Sequence, residues 1–266
     1  MAGSSKLERL WATKNPDDEW WSSFVTSPAA ILINWVVVEW RWLSPNLITL
    51  FSLVTAITAS VLIVVGGSTN FLCAAGLIQL SHVLDCMDGQ MAKYRGASSR
   101  FGDYFDKVTD QFQVFVWFSA LAYAAYLQTQ SVTPVFLAFV GVSFYSLRVY
   151  VKYVTIFIQV RHDRDYLEKS SERAVSARAG ESQRAGLGSG WKVNLVWLLR
   201  EQRKFLLFNE TVFVFLLSAA LLTGQLVPML WLFASSQVYF GFARSWQRGR
   251  QIHLNQQADL WKPMEK

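Results

Sequence analysis

Residues 85–93 read DCMDGQMAK, and residues 102–110 read GDYFDKVTD. The sequence around these two runs is strongly apolar, and a carboxylate is unfavourable there unless it is paired or binds a metal ion. Asp85 and Asp88 are three residues apart, so on a helix both would project from one face. Asp106 and Asp110 are four apart, and the same holds for them. Two neighbouring helices could therefore present four carboxylates to one shared space.

The charge of these four aspartates indicates a metal ion. Four negative charges in one space would repel one another, and either protonation or a bound divalent cation would relieve the repulsion. Carboxylate oxygens are natural ligands of hard divalent cations, so we interpret the aspartates as a metal site. The alternative is a water-filled crevice without chemistry, which we disfavour because ionisable groups inside a membrane usually mark functional sites.

The overall composition is typical of a membrane protein. The chain has 266 residues, of which 52% are hydrophobic and 12 are tryptophan, and its formal net charge is +6. A soluble domain of this length contains fewer apolar and aromatic residues. The N-terminus is polar before its first apolar run, so we expect no cleavable signal peptide, and the spans themselves would direct insertion.

Several apolar segments are long enough to cross a bilayer, for which about twenty residues are needed. The predicted spans run over residues 47–65, 71–92, 99–126, 134–160, 205–223 and 226–246. The motif carboxylates fall at the end of the second span and at the beginning of the third, and so at matching depth near one membrane face. The predicted fold class is therefore an all-α integral membrane protein with six transmembrane helices.

A further apolar segment, residues 20–42, precedes the first span and is rich in tryptophan. A seventh span is one interpretation of it. We favour an amphipathic helix that lies in the membrane interface, because Pro28 interrupts the segment, Glu39 and Arg41 lie at its end, and tryptophan prefers the headgroup region.

The distribution of basic residues predicts the orientation in the membrane. All 25 Lys and Arg fall before the first span, around the motif, between residues 148 and 204, or after residue 243. By the positive-inside rule, both termini and the motif face the cytoplasm, and the membrane that we expect is the inner membrane of a bacterium. Because topology explains the basic charge and no nucleic-acid-binding motif is present, we expect membrane lipids and no nucleic acid as partners.

These segments divide the chain into five regions. They are an interfacial N-terminal region (1–43), a four-span half that carries the motif (44–160), a basic cytoplasmic loop (161–204), the fifth and sixth spans (205–246) and a cytoplasmic tail (247–266). The basic loop either binds anionic headgroups or is a solvated loop that obeys the positive-inside rule.

The motif resembles the signature of the CDP-alcohol phosphotransferase (CDP-alcohol phosphatidyltransferase) family, D-x2-D-G-x2-A-R-x8-G-x3-D-x3-D. It matches at every position except Lys93, where the family has Arg. The resemblance implies a transferase of phospholipid biosynthesis, which moves a substituted phosphate from a CDP-linked donor to an alcohol acceptor and releases CMP. It also implies a two-metal site with Mg²⁺ or Mn²⁺, and a homodimer.

The resemblance implies a role for each aspartate as well. Asp85, Asp88 and Asp106 would be metal ligands, and Asp110 would be a ligand or the general base that takes the proton of the acceptor hydroxyl. Asp106 and Asp110 are therefore the candidate catalytic residues. A carboxylate is a weak base for an alcohol, so its contribution depends on the metal and on geometry.

Other motif residues are candidates for nucleotide binding. The small residues Gly89, Ala92 and Gly102 would let a cytosine ring or a phosphate approach the backbone closely, although packing between membrane helices also favours small residues. Lys93 keeps the charge of the family arginine but loses its bidentate grip on phosphate, for which Arg95 or Arg100 could compensate.

Asn46 and Thr49, at the start of the first span, could also face the nucleotide, and a helix-start signal explains them equally well. Arg148 and Lys152 share one face of the fourth span. They would either bind an anionic acceptor, such as an inositol or glycerol phosphate, or extend to the lipid headgroups. His82 would either contact the metal ligands or be satisfied by packing, which is commoner for a lone histidine.

The favoured donor, on family frequency, is CDP-diacylglycerol. The alternative is a soluble CDP-alcohol that acts on a lipid acceptor. Two other classes of protein remain open. A cation-coupled transporter would show inverted repeats and interrupted helices, which we do not find in the sequence. A catalytically inactive interaction protein is the third hypothesis.

Overall fold

The structure, a computed structural model, is all-helical in the residues that it describes. These are residues 5–15, 19–163, 165–168, 170–172, 191–192, 195–196, 199 and 210–260. The helices are α1 (Lys6–Ala12), α2 (Ser27–Val37), α3 (Pro45–Val65), α4 (Ser68–Arg95), α5 (Arg100–Thr129), α6 (Thr133–His162), α7 (Glu210–Thr223) and α8 (Leu226–Leu260). The all-α fold class is confirmed. Most of the predicted 161–204 loop and the end of the tail lie outside the described residues.

Among the described residues, four helices are long and apolar enough to cross a membrane, namely α3, α4, α6 and the part Leu226–Leu254 of α8. They correspond to the first, second, fourth and sixth predicted spans, and they make the chain an integral membrane protein. The third predicted span is the 30-residue helix α5, which is less apolar because its first half carries motif carboxylates and glutamines. The fifth is α7, which has 14 residues, and residues 205–209 ahead of it are not described.

Local signals determine where the motif helices begin and end. The Ser44 hydroxyl accepts a hydrogen bond from the Leu47 amide at the start of α3, and the Ser99 hydroxyl accepts one from the Gly102 amide at the start of α5. Helix α4 ends at Arg95 and is capped by Gly96, whose φ of 60° lies in the left-handed region that favours glycine. The chain therefore reverses direction between the two halves of the motif.

Two sets of helices make up the bundle. Helix α3 packs along α4 and α5, α6 packs along α8, and α7 lies against α4. A large apolar cluster joins the sets, with Phe118 of α5 stacked on Phe233 of α8 at a centroid distance of 3.7 Å. A Cβ at Gly141 of α6 would lie 2.5 Å from the Phe233 ring, so α6 and α8 approach each other here because this residue has no side chain.

The N-terminal segment docks on α4. A π-helical turn, Ser22–Thr26, leads directly into α2, so Pro28 stands at the start of α2 and does not interrupt the helical path, contrary to our expectation. Ile31 and Asn34 are buried on the face of α2 towards the bundle, whereas Trp35 is exposed. Leu32 and Val36 are exposed as well, so the outer face of α2 is apolar and the helix is not amphipathic, contrary to our expectation. Its location in the membrane interface stays a prediction.

Candidate active site

Three carboxylates meet where the end of α4 faces the beginning of α5. Asp85, Asp88 and Asp106 each offer one ligand atom, and these atoms lie within 4.8 Å of one another. Asp88 is buried, and the other two are half-buried. The three-residue spacing on α4 and the reversal of the chain before α5 bring these side chains together, as the sequence predicts.

The fourth aspartate, Asp110, lies one turn further along α5 and contacts a lysine. Lys107 Nζ donates to Asp106 Oδ2 at 2.6 Å and to Asp110 Oδ2 at 3.0 Å. The other oxygen, Asp110 Oδ1, is buried and has no hydrogen-bond partner in the described part of the protein. Lys107 was not expected at this site, because a lysine between two aspartates on a helix usually belongs to a solvated face.

Thr49 of α3 holds the buried carboxylate. Its hydroxyl donates to Asp88 Oδ2 and lies 3.2 Å from a second acceptor, the Pro45 carbonyl. A hydroxyl has one proton to donate, so the two acceptors compete for it. We expected Thr49 to face a nucleotide, and the structure shows that it also orients Asp88.

Asp85, Asp88 and Asp106 line a pocket of about 320 Å³, whereas Asp110 is not among its lining residues. This volume is within the size range of small-molecule sites. The pocket wall contains all the nucleotide-binding candidates from the sequence, namely Asn46, Thr49, Gly89, Ala92, Lys93 and Gly102. It also contains residues that we did not predict: Thr13, Asn15, Ser22 and Ser27 of the N-terminal segment, and Thr211 of α7. Their positions depend on how the N-terminal segment and α7 dock, for which the motif gives no signal.

The two motif glycines differ in their surroundings. A Cβ at Gly89 would meet no neighbouring atom within 4 Å, so the helix surface there is open and is not packed against another helix. A Cβ at Gly102 would lie 3.1 Å from Ser99 Oγ and 3.2 Å from Asn46 Oδ1. Gly89 therefore leaves room for a ligand, whereas Gly102 permits close contact between the beginnings of α5 and α3.

Lys93 lines the pocket, and its Nζ donates to the Thr13 carbonyl at 3.4 Å. Arg95 does not compensate for the missing family arginine, because its guanidinium group makes other bonds. It donates to the carbonyls of Val38 at 2.7 Å, Trp40 at 2.9 Å and Leu43 at 2.6 Å. Arg95 therefore holds the end of α2 and the turn to α3, and of the two predicted alternatives Arg100 remains the one to compensate for the missing arginine.

The basic pair predicted for the acceptor does not line this pocket. Arg148 Nη1 donates to Oε1 of the fully buried Gln237 at 2.6 Å, and its guanidinium lies 5.7 Å from the centre of the Phe240 ring. Lys152 is exposed, with its Nζ 5.8 Å from the centre of the Tyr153 ring. This exposure favours extension of Lys152 towards the headgroups.

His82 lies one turn before Asp85 on α4 and lines the same pocket. The residue is buried, and its Nε2 has no hydrogen-bond partner among the residues that the structure describes. A buried polar atom without a partner is unfavourable. His82 therefore brings a ring nitrogen without a hydrogen-bond partner to the pocket, and its contact with the metal ligands stays a prediction.

Buried polar side chains join α3, α4 and α5 beneath the carboxylates. Ser52 Oγ donates to the Ser81 carbonyl at 2.8 Å, and Ser81 Oγ donates to Gln113 Oε1 at 3.1 Å. Gln113 Nε2 donates to Ser52 Oγ at 3.2 Å, which closes the set. These three residues lie one turn from Thr49, Asp85 and Asp110 respectively. The hydrogen bonds therefore set the spacing of the helices that carry the site.

The sequence model of a family described as CDP-alcohol phosphatidyltransferase matches residues 42–178, just over half of the chain. The chain is also similar to the crystal structure of the Mycobacterium tuberculosis phosphatidylinositol phosphate synthase with CDP-DAG bound, at 16% identity and a TM-score of 0.48, over 83% of this chain and 91% of that chain. No curated protein matches the chain.

Proposed function

Because the chain belongs to the CDP-alcohol phosphatidyltransferase family, we propose that it transfers a substituted phosphate from a CDP-linked donor to an alcohol acceptor and releases CMP, as a transferase of phospholipid biosynthesis. The acceptor oxygen forms a bond to the donor phosphorus distal to the cytidine, and the bond from that phosphorus to the CMP oxygen breaks. The observation that carries the proposal is the cluster of three carboxylate oxygens within 4.8 Å inside the pocket.

The oxygen atoms of the site fit divalent ions. Asp85, Asp88 and Asp106 offer clustered carboxylate oxygens, and the buried Asp110 Oδ1 has no hydrogen-bond partner in the described part of the chain. Hard cations prefer such oxygens, so we assign these four aspartates as ligands of two Mg²⁺ or Mn²⁺ ions. Bound ions would neutralise the pyrophosphate and stabilise the charge on the transferred group.

The wall of the pocket would bind the CDP part of the donor. The open surface at Gly89 leaves room for a cytosine ring or a phosphate, and Ala92 and Gly102 line the same pocket. Lys93 adds a positive charge that attracts phosphate as a point charge. Its contact with the Thr13 carbonyl, at 3.4 Å, is long for a hydrogen bond, so a phosphate oxygen could replace that carbonyl.

The alternative role of Asp110 is that of the general base, which takes the proton of the acceptor hydroxyl as its oxygen attacks phosphorus. In that role Asp110 Oδ1, which has no competing hydrogen bond within the described residues, would accept the proton and would not bind a metal ion. Thr49 holds Asp88 through its hydroxyl and would keep the acids in one arrangement during the reaction.

For the donor we propose CDP-diacylglycerol, with a soluble CDP-alcohol that acts on a lipid acceptor as the alternative. Arg148 remains our candidate for an anionic acceptor, because Gln237 holds its guanidinium within the bundle, whereas Lys152 is exposed. We also propose a cytoplasmic active site, which the charge bias supports, and a homodimer, which the family resemblance supports. The membrane that we propose is the inner membrane of a bacterium.

A CMP-release assay tests this function. Purified protein in lipid nanodiscs receives CDP-diacylglycerol, Mg²⁺ or Mn²⁺, and one of several acceptors: glycerol 3-phosphate, inositol phosphate, inositol or serine. We expect CMP release that requires both acceptor and metal and falls by at least about a thousandfold in Asp106→Asn. Asp165→Asn, which changes an exposed aspartate outside the pocket, should leave the rate unchanged. CMP release that persists in EDTA or in Asp106→Asn would contradict the proposal.

A further inference from the structure

The Lys107 ammonium group contacts two of the motif aspartates, Asp106 and Asp110. Its Nζ lies 2.6 Å from Asp106 Oδ2 and 3.0 Å from Asp110 Oδ2. Both carboxylates belong to the four aspartates that we assign as metal ligands. A cation of the protein itself therefore uses oxygen atoms that a divalent ion would need.

The partners of this contact differ in exposure. The Asp110 side chain is 14% exposed and the Asp106 side chain is 30% exposed, whereas the Lys107 side chain is 58% exposed. Lysine has a flexible four-carbon stem and a strongly hydrated charge. Lys107 can therefore move to water by rotating its own side chain, while the carboxylates stay in place.

A carboxylate oxygen that binds both the Lys107 ammonium group and a divalent ion binds each of them more weakly than it would bind either one alone. A divalent ion at Asp106 Oδ2 or Asp110 Oδ2 would use the lone pairs that now accept from Lys107, and two cations that share carboxylates repel each other. Each cation therefore weakens the binding of the other, and thermodynamic linkage makes this coupling reciprocal.

We propose that Lys107 is a built-in counterion that holds Asp106 and Asp110 when divalent ions are absent and leaves them when a metal ion binds. This inference rests on the proposed function, because it concerns the metal site of that reaction. Its first consequence is that the repulsion between Asp106 and Asp110 is reduced before the metal binds. Its second consequence is that the metal affinity is lower than the four aspartates alone would give.

Lysine labelling of the unmodified protein tests the movement. An amine-reactive reagent is applied without metal and with saturating Mn²⁺, and the labelled lysines are quantified by mass spectrometry. We expect the labelling of Lys107 to rise severalfold with Mn²⁺, because its ammonium group is released to water. The exposed Lys192 serves as the control and should not change. Equal or lower labelling of Lys107 in Mn²⁺ would overturn the inference.

Calorimetric titration with Mn²⁺, without nucleotide, tests the competition. We expect Lys107→Met to bind Mn²⁺ about tenfold more tightly than the unmodified protein, since the competing charge is gone. Lys107→Arg keeps the charge and should bind as the unmodified protein does, as should Lys192→Met. In EDTA, Lys107→Met should have a lower melting temperature than the unmodified protein. Addition of Mn²⁺ should raise the melting temperature of Lys107→Met by more than it raises that of the unmodified protein. Equal or weaker Mn²⁺ affinity in Lys107→Met would overturn the competition.

Neither readout depends on CMP release. If Mn²⁺ releases Lys107 but no CDP-linked donor is turned over, the proposed reaction is contradicted and the counterion role of Lys107 is supported. If CMP is released as proposed but Lys107 stays protected from labelling in Mn²⁺, only the counterion role of Lys107 is contradicted.

Discussion

The set α3, α4 and α5 and the set α6 and α8 are held together by different forces. Buried hydrogen bonds among Ser52, Ser81 and Gln113 join the first set directly beneath the carboxylates. The second set meets through the Phe233 ring, which is seated against Gly141. The first set therefore keeps polar groups at fixed positions, whereas the second set contributes apolar packing. Substitutions in the two sets should therefore change different measurements.

Loss of the Phe233 side chain should have the largest effect on stability. Phe233 is fully buried and stacks on Phe118. We expect Phe233→Ala to lower the free energy of unfolding by about 3 kcal/mol, as for other buried aromatic residues. The measurement is thermal unfolding in detergent.

Turnover by Phe233→Ala tests whether the set α6 and α8 contributes only to stability. CMP release per folded molecule should stay within about twofold of the unmodified protein, because Phe233 does not line the pocket. A large fall in turnover by the folded fraction would show that the packing set also positions the site.

A bulky side chain at Gly89 should act on binding and not on stability. Because a Cβ there meets no atom within 4 Å, the protein can accommodate a side chain that a nucleotide cannot. We expect Gly89→Leu to raise the KM for the CDP-linked donor about a hundredfold, with kcat much less affected. Steady-state kinetics of CMP release give both constants.

Gly76 offers a matched control on the same helix. It also has open space around its Cβ position, and it is exposed and does not line the carboxylate pocket. Gly76→Leu should therefore leave the KM unchanged, and both variants should keep the melting temperature. Equal effects of the two substitutions on KM would place the nucleotide elsewhere.

Removal of the Thr49 hydroxyl should have the smallest effect of the three. Thr49→Val keeps the shape of the side chain but leaves Asp88 without this donor. We expect kcat to fall about tenfold, the usual size for loss of a group that orients a metal ligand. Thr49→Ser retains the hydroxyl and should restore most of the rate. If Thr49→Val is as active as Thr49→Ser, the hydrogen bond does not position Asp88.

The gathering of Asp85, Asp88 and Asp106 could be predicted because it depends on local rules. Side-chain spacing on a helix, a serine cap and a glycine at the helix end all act within a few residues. Lys107 could not be predicted in the same way. Residues i and i+1 do not face each other on a helix, so its contact with Asp106 requires a long, flexible side chain to turn back.

The N-terminal wall of the pocket and the bonds of Arg95 depend on tertiary docking. The carbonyls that Arg95 binds come together only when the end of α2 lies beside α4, and no spacing in the sequence encodes this.

The number of spans was also harder to predict than the site. Two segments that we predicted as spans are not long and apolar enough to cross a membrane in the described part of the chain. Helix α5 contains too many polar residues, and the described part of α7 has only 14 residues.

A crystal grown with Mn²⁺ tests the metal site most directly. Anomalous diffraction should show manganese density among Asp85, Asp88 and Asp106, with Lys107 Nζ moved away from Asp110 Oδ2. No density among these oxygens at saturating Mn²⁺, with Lys107 still bonded to both carboxylates, would contradict the metal site and the reaction proposed from it.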